Sequence, residues 1–489
     1  MILRVLGHSF HYECENLCRV FFPNEKIVTR RDREGADART VDTILAAAPD
    51  GISLTVTAEL DGAAAQRSDC LPADAEKDAC ELRMAQLLFD VMCTLTGYVP
   101  PWGVLTGVRP SKLMLRLAGA QGEDAAFRYF TQDLLVSPEK ARLALTVAKA
   151  EDAIVALSQP NSFSLYVSIP FCPSRCSYCS FVSHSIGNAN ARKLLIPYLE
   201  KLALELQAIG RLHRELGLRL ESVYFGGGTP GVLEAPQLDR LLTEIEQSFD
   251  CTTLRETTVE IGRPDTVTPE KLHVLRLHNV GRISINPQTY HQATLDRIGR
   301  QHTVAEALKA YRLAAGCGFD CINTDLIAGL PGETPEMFRQ SLDTAISLGG
   351  GNITIHALAL KRSSALNADG GGVADGNAAK EMLAYAAETL PAAGYAPYYM
   401  YRQSKCVGNL ENVGWTRPGQ ACLYNVFMME ECHTVLAAGA GGVTKLCEYR
   451  GTNVERIYNY KYPYEYISGF EQLLDRKNGI KQFYETYRI

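Results

Sequence analysis

Three cysteines crowd one short stretch, Phe171-Cys-Pro-Ser-Arg-Cys-Ser-Tyr-Cys-Ser180. Their spacing, C-x3-C-x2-C, puts Cys172, Cys176 and Cys179 on one loop, where three thiolates can meet iron. A structural zinc asks for four ligands, commonly in paired knuckles, and the nearest further candidate, His184, has no partner in its loop. A [4Fe–4S] cluster has four irons and usually takes four thiolates. Three leave one iron open, as a catalytic metal site keeps one position free for chemistry. The spacing favours a cluster with an open iron.

Such a loop needs a scaffold, and regular strand–helix alternation begins at Ser164. Period-two and period-3.6 patterning predicts strand Leu165–Pro170, then the cysteine loop and a helix over Arg192–Glu215. Strand Leu220–Phe225 precedes helix Ala235–Phe249, and strand Thr257–Ile261 precedes Pro269–Leu277. Strand Arg282–Asn286 precedes two helices, the second over Val304–Gly316. Strand Cys321–Ile327 precedes Glu336–Leu348, and strand Asn352–Leu360 comes last. Six βα units imply parallel strands joined by right-handed crossovers. They are too few for eight strands, so an α/β fold with a partial, open (β/α)6 barrel is expected over residues 159–360. Its site belongs at the C-terminal ends of the strands, where the cysteine loop falls.

Residues 1–158 read as an α+β domain with no recognisable chemistry. Ile2–Phe10 and Ile52–Leu60 look like strands, separated by the polar segment Arg30–Thr43. Ala75–Leu95 and Ser137–Leu157 look helical. Gly103–Lys112, with two glycines and two cations, reads as a turn opening a helix, or else as an anion-binding loop. Residues 361–489 read as a mainly helical cap containing the aromatic run Tyr395–Tyr401. The chain has 489 residues, 46% hydrophobic, with a net charge of −6, which offers no basic footprint for nucleic acid. No apolar run approaches the length of a membrane span, and the first residues lack a signal-peptide pattern. Fifteen scattered cysteines suit a reducing cytoplasm better than a disulfide framework.

Each barrel strand end adds a group that a bound cofactor could use. Gly226-Gly-Gly-Thr-Pro230 follows the second strand, and glycines let backbone approach a ligand closely. Glu260 ends the third strand, Gln288 follows the fourth, Arg300 sits in Gly-Arg-Gln-His302, and Asp325 lies in Asn-Thr-Asp-Leu-Ile327. A carboxylate accepts two hydroxyl hydrogen bonds, and arginine holds a carboxylate in a fork.

Taken together, the cysteine loop, Tyr166-Val-Ser-Ile-Pro-Phe-Cys172, GGGTP, Gln288…Gly-Arg-Gln-His302 and Asp325-Leu-Ile-Ala-Gly-Leu-Pro331 resemble radical S-adenosylmethionine (SAM) proteins. The late Asn409–Gly414 and Gly439–Gly441 segments complete the likeness, which covers roughly Leu165 to Lys445. The branch resembled is the oxygen-independent coproporphyrinogen III oxidase-like family, especially its HemZ-type coproporphyrinogen dehydrogenases. The resemblance implies a radical SAM barrel holding a [4Fe–4S] cluster on Cys172, Cys176 and Cys179, with SAM on the open iron. It implies that Tyr166 contacts SAM at the cluster. It also implies that Gly227, Gly228, Thr229, Glu260, Gln288, Arg300 and Asp325 line the SAM pocket. The implied reaction converts two propionates of coproporphyrinogen III to vinyl groups in anaerobic heme biosynthesis, with a flavodoxin- or ferredoxin-like electron donor. Lys361, Arg402 and Lys405 are candidate cations for the substrate's carboxylates, and Tyr398, Tyr399 and Tyr401 for its ring face.

Two departures keep alternatives open. The family's oxidases carry a further cysteine two residues after the last ligand, where this chain has Phe181. That likens it to the family's heme chaperones, which bind heme and deliver it. Their His-Asn…Tyr-Trp element is replaced here by Tyr424-Asn-Val-Phe-Met-Met429, although Met428, Met429, Cys432 and His433 could ligate iron. A radical SAM enzyme acting on another substrate is the third possibility.

Overall fold

The barrel strands alternate apolar and polar residues, and the alternation sorts shell from lumen. The computed structural model describes residues 1–35, 37–181, 183–359, 376–403 and 405–487. In strand Ser162–Ile169, Phe163, Leu165, Val167 and Ile169 are fully buried and share a core with Leu202 and Leu206 of helix Ala189–Glu215. Ser164, Tyr166 and Ser168 take the other face, since successive strand residues point to opposite sides. Asn323 and Asp325 of Cys321–Ala328, and Thr354 and His356 of Asn352–Ala357, likewise turn inward. Asn323 donates to Ser284 Oγ (2.8 Å) and accepts from Thr354 Oγ1 (3.0 Å). The lumen is therefore polar inside an apolar shell.

Six parallel strands form the expected partial barrel, in the order Ser162–Ile169, Arg219–Gly227, Glu256–Gly262, Arg282–Ile285, Cys321–Ala328 and Asn352–Ala357. The sheet continues past both edges, to 11 strands. Thr434–Ala438 pairs in parallel with Ser162–Ile169, and Val443–Cys447 and Val454–Tyr458 follow it antiparallel. At the other edge Glu411–Thr416 lies antiparallel to Asn352–Ala357, with Ala396–Arg402 outside it. The C-terminal region carries the expected helices, Gly376–Ala392, Leu423–Glu430 and three between 463 and 487. It also supplies strands at both edges, and Tyr398–Met400 and Thr434–Ala438 are buried on both faces.

The first 158 residues pack as two groups. Strands Ile2–Leu6, Val28–Arg30, Arg39–Ala48, Gly51–Leu60 and Ala63–Leu71 form a separate sheet. Helices His11–Phe21 and Lys77–Thr96 close a core on it around Leu3, Val41, Leu54, Met84 and Leu88. The segment read as a polar separator contains the start of Arg39–Ala48, which pairs in parallel with Ile2–Leu6 and antiparallel with Gly51–Leu60 and carries its charged residues on the half-exposed face of that mixed sheet. Helices Pro110–Gln121 and Pro138–Val155 instead pack with the barrel, where Met114, Ala144 and Val147 join Leu326, Ile353, Met400 and Trp415. A buried ion pair, Lys140 with Glu411, fastens this contact, and Trp102 Nε1 donates to the same carboxylate at 2.7 Å.

Glu151 sits in the same seam and accepts from Met400 N at 3.3 Å. Burial pushes its carboxyl up to about 8, and the Glu430 carboxylate pushes the same way. Between the ordinary carboxylate value and about 8, the unfolded chain releases a proton that the native chain keeps, so stability falls as pH rises. Glu151→Gln should therefore melt higher than the parent protein, with a gap that widens from pH 5 to pH 9. A constant gap across that range would exclude this cause.

Among the described residues no helix is long and apolar enough to cross a membrane.

Candidate active site

The cysteine loop leaves strand Ser162–Ile169 and is tied down at several points. Ser177 N donates to Ile298 O (3.0 Å), Ile186 N to Cys172 O (2.9 Å), and Arg263 Nη1 to Ser174 Oγ (2.6 Å). Gly227-Gly-Thr229 runs beside it: Gly228 N donates to Ile169 O and Thr229 N to Phe171 O, both at 2.8 Å. A Cβ at position 228 would lie 2.5 Å from Phe171 O, and Gly227 has φ +104°, so both positions demand glycine. Thr229 Oγ1 reaches Cys172 Sγ at 3.4 Å.

Around this loop all the residues assigned to cluster and cofactor line one cavity of about 720 Å³, at the C-terminal ends of the barrel strands. Tyr166, the three cysteines and Gly227–Thr229 form one side of it. Glu260, Gln288, Arg300 and Asp325 come from the next strands and loops. The volume is that of a small-molecule site. Burial pushes the Cys172 and Cys179 thiols up; iron supplies the charge that holds such thiols as thiolates.

Orphaned buried groups point into the site. Arg300 donates to Tyr178 Oη at 2.8 Å, while its Nε and Nη1 have no partner among the described residues. Gln288 Oε1 is also buried without one, and Gln288 takes a left-handed φ of 71°. Buried polar groups are ordinarily satisfied, so a fork and an acceptor stand ready for a ligand. Glu260 accepts from Tyr224 Oη. Burial pushes its carboxyl up to about 7, with Tyr224 opposing and Asp325 adding to the shift. These groups fit a cluster on three thiolates and a zwitterionic, hydroxyl-bearing cofactor.

His356 was not singled out from sequence. Its Nε2 lies 3.7 Å from Asp325 Oδ2. Burial alone would lower it, but the Asp325 carboxylate outweighs this and its pKa is raised. The signal was available: Asn286, Asn323 and His356 all fall on lumen positions of the period-two pattern.

The substrate candidates fare differently. Lys361 lies outside the described residues. Arg402 does not line the cavity, because its neighbours Tyr401 and Gln403 take the lumen-facing positions. Its guanidinium donates to Leu105 O (2.5 Å), Gly107 O and Asn409 O (both 3.2 Å), over the Trp102 ring. Lys405, at a left-handed φ of 67°, is also absent from the lining. Tyr399 and Tyr401 do line the cavity, and Tyr398 does not.

The opposite wall is helix Leu423–Glu430, which brings Tyr424, Asn425, Met428 and Met429 to the cavity. Tyr424 stacks on Tyr224 and Tyr166, with centroids 4.4 and 6.1 Å apart. Glu256 accepts from Leu423 N (2.9 Å) and Tyr424 N (3.2 Å) at the helix start. At its end, Lys445 donates to Met428 O (3.0 Å), Arg109 to Met429 O (2.8 Å) and Lys112 to Glu430 O (3.1 Å). An anion at the start and cations at the end complement the helix dipole. Gly103–Lys112 thus opens helix Pro110–Gln121, as the turn reading has it, and spends its cations on a neighbouring helix end. His433 is closed to iron: its ring nitrogens engage Ser158 Oγ (2.9 Å) and Ser164 Oγ (2.8 Å).

Residues 166–345 match the family model described as Radical SAM superfamily. The oxygen-independent coproporphyrinogen-III oxidase-like protein HemZ of Bacillus subtilis is 38% identical over 397 residues, covering 80% of this chain and 79% of that protein. The heme chaperone HemW of Lactococcus lactis subsp. lactis is 31% identical over 333 residues, covering 67% and 80%. Among solved structures, coproporphyrinogen III oxidase (HemN) from Escherichia coli overlaps 66% of this chain and 72% of that one, with a TM-score of 0.49 and 21% identity. The chain is a radical SAM protein, whose cofactors are a [4Fe–4S] cluster and S-adenosylmethionine. Within that superfamily it belongs to the oxygen-independent coproporphyrinogen III oxidase-like family.

Proposed function

We propose that this chain oxidatively decarboxylates two propionate side chains of coproporphyrinogen III to vinyl groups, forming protoporphyrinogen IX for heme biosynthesis. One observation carries the reading: a single cavity joins the cysteine loop and its polar lumen to a wall of Tyr399, Tyr401, Met428 and Met429. That wall suits the apolar faces of the pyrrole rings of a tetrapyrrole.

Cluster and SAM supply, when bound, the one-electron chemistry that takes a hydrogen atom from an unactivated carbon. The protein's part is to hold and orient. Cys172, Cys176 and Cys179 would hold three irons. The Gly227–Thr229 backbone would meet the amino-acid end of SAM, Arg300 would fork its carboxylate, and Glu260 and Asp325 would accept hydrogen bonds from its hydroxyls. Tyr166 would pack at the cluster, and Gln288 would offer its amide oxygen. The substrate's β-carbon would lose a hydrogen atom, and the carboxylate would leave as CO2 while the second electron passes to a separate one-electron acceptor, completing each vinyl group. A flavodoxin- or ferredoxin-like protein is the electron donor this chemistry asks for.

The test is anaerobic reconstitution with SAM, a reductant and coproporphyrinogen III. Protoporphyrinogen appearing with matching 5′-deoxyadenosine supports the reading; SAM cleavage with intact porphyrinogen sinks it. The pH dependence is a further check. Ionised Glu260 accepts hydrogen bonds from hydroxyls more strongly than its protonated form, and its carboxyl is pushed up to about 7. Affinity for S-adenosylhomocysteine should therefore fall by up to roughly tenfold from pH 8 to pH 6. Glu260→Gln should flatten that profile in calorimetric titrations, and an unchanged slope would count against Glu260. A second reading, heme binding, draws on Met428 and Met429 lining the cavity. Stoichiometric heme binding without porphyrinogen turnover would favour it.

A further inference from the structure

The three lysine and arginine side chains that line the cavity, among the described residues, are Arg263, Arg300 and Lys445. Arg263 is committed to Asp265, through Nε (2.9 Å) and Nη2 (2.8 Å), and to Ser174. Arg300 stands by the cysteine loop with Tyr178. Lys445 stands on the other wall, next to Met428. An ammonium has three donors. Two are placed, on Met428 O at 3.0 Å and on Glu431 Oε1 at 3.1 Å. One remains for a ligand in the cavity.

The surroundings keep this position positive. Glu431 is shared by Arg109 (2.9 Å), Arg456 (3.0 Å) and Lys445. With Lys112, which donates to the Glu430 carbonyl, four cations gather around Glu430 and Glu431, and Glu151 is a third carboxyl close enough to feel Arg109. Across the cavity the carboxyls of Glu260 and Asp325 line the lumen, with His356 3.7 Å from Asp325. A ligand carrying several carboxylates is turned by this asymmetry, with its anionic arms away from the carboxylates and toward the cation.

We propose that Lys445 receives a carboxylate of the substrate and so fixes how the ring sits between the Met428–Met429 wall and the cysteine loop. This rests on the tetrapyrrole reading above. The contact is a charge-assisted hydrogen bond, in a position where Arg109 and Lys112 add field without touching the ligand.

The test uses the reconstituted full chain with S-adenosylhomocysteine bound, titrated with two porphyrins by fluorescence quenching. Coproporphyrin III carries four carboxylates, and etioporphyrin has a similar ring with none. The parent protein should bind coproporphyrin III at least tenfold more tightly, Lys445→Met should lose most of that preference, and Lys445→Arg should keep it. Glu431 retains Arg109 and Arg456 in these variants, so the helix end stays held, and an unchanged etioporphyrin Kd checks that the wall is intact. A Lys445→Met protein that keeps the full preference overturns the inference, as does a parent protein with none. Turnover separates this from the broader reading. Coproporphyrinogen III consumed by the parent, and by Lys445→Met with the same KM, fails only the role of Lys445. No consumption by the parent fails the substrate itself.

Discussion

Cys176→Ser protein, reconstituted anaerobically with iron and sulfide, should show no [4Fe–4S] absorption above background, and 5′-deoxyadenosine formation should drop to that of a protein-free blank. Cys176 is the middle cysteine of the loop and is nearly buried, with 9% of its surface exposed. Its carbonyl accepts from Cys179 N at 3.2 Å, so the second and third thiols share one turn. A serine hydroxyl in that turn is a poor iron ligand, and two remaining cysteines leave two irons without protein ligands. The loop keeps its other ties, Ser177 N to Ile298 O and Arg263 to Ser174, so the metal-free variant should melt close to the metal-free parent. Loss of the cluster with an unchanged fold would mark Cys176 as a ligand. A variant that retains a full cluster would show that the three thiols do not hold it as proposed.

Lys140→Met should cost about 3–5 kcal/mol, because it leaves the Glu411 carboxylate buried without its counter-ion. Glu411 is 1% exposed; among the described residues its other side-chain hydrogen bond comes from the Trp102 indole at 2.7 Å, and the Arg402 guanidinium acts on it only at longer range. The double variant Lys140→Met, Glu411→Gln should recover most of that loss, since the amide oxygen still accepts from Trp102 and no bare charge remains. Denaturant titrations of the single and double variants test this. A single variant within about 1 kcal/mol of the parent would place the pair among those that contribute little. The result also reports on architecture, because this pair joins helix Pro138–Val155 to strand Glu411–Thr416.

The barrel was legible from sequence because each of its strands carries its own signature. Alternation in Ser162–Ile169 or Cys321–Ala328 fixes which residues meet helices and which meet the lumen, and the cysteine spacing needs no tertiary information. The edge strands were harder. Ala396–Arg402 read only as an aromatic run, because pairing partners for a short buried strand are set by distant segments rather than by local pattern. That same gap misplaced Arg402: once the run is a strand, Tyr401 and Gln403 must face one way and Arg402 the other. Lys445 lay hidden for a similar reason. It sits on Val443–Cys447, whose place beside the barrel depends on Thr434–Ala438 pairing with a strand more than 250 residues earlier.

The short helix Leu423–Glu430 works as a tie rod between parts of the chain that are far apart in sequence. One end is bolted to the barrel through Glu256, the other to the N-terminal region through Arg109 and Lys112. Its middle is the shelf of Tyr424, Met428 and Met429. Loosening a bolt at the cation end would slacken that shelf while leaving the Gly227–Thr229 cradle, anchored within the barrel itself, untouched. Arg109 and Lys112 thus place Met428 and Met429 by contacts separate from those that place the Gly227–Thr229 backbone.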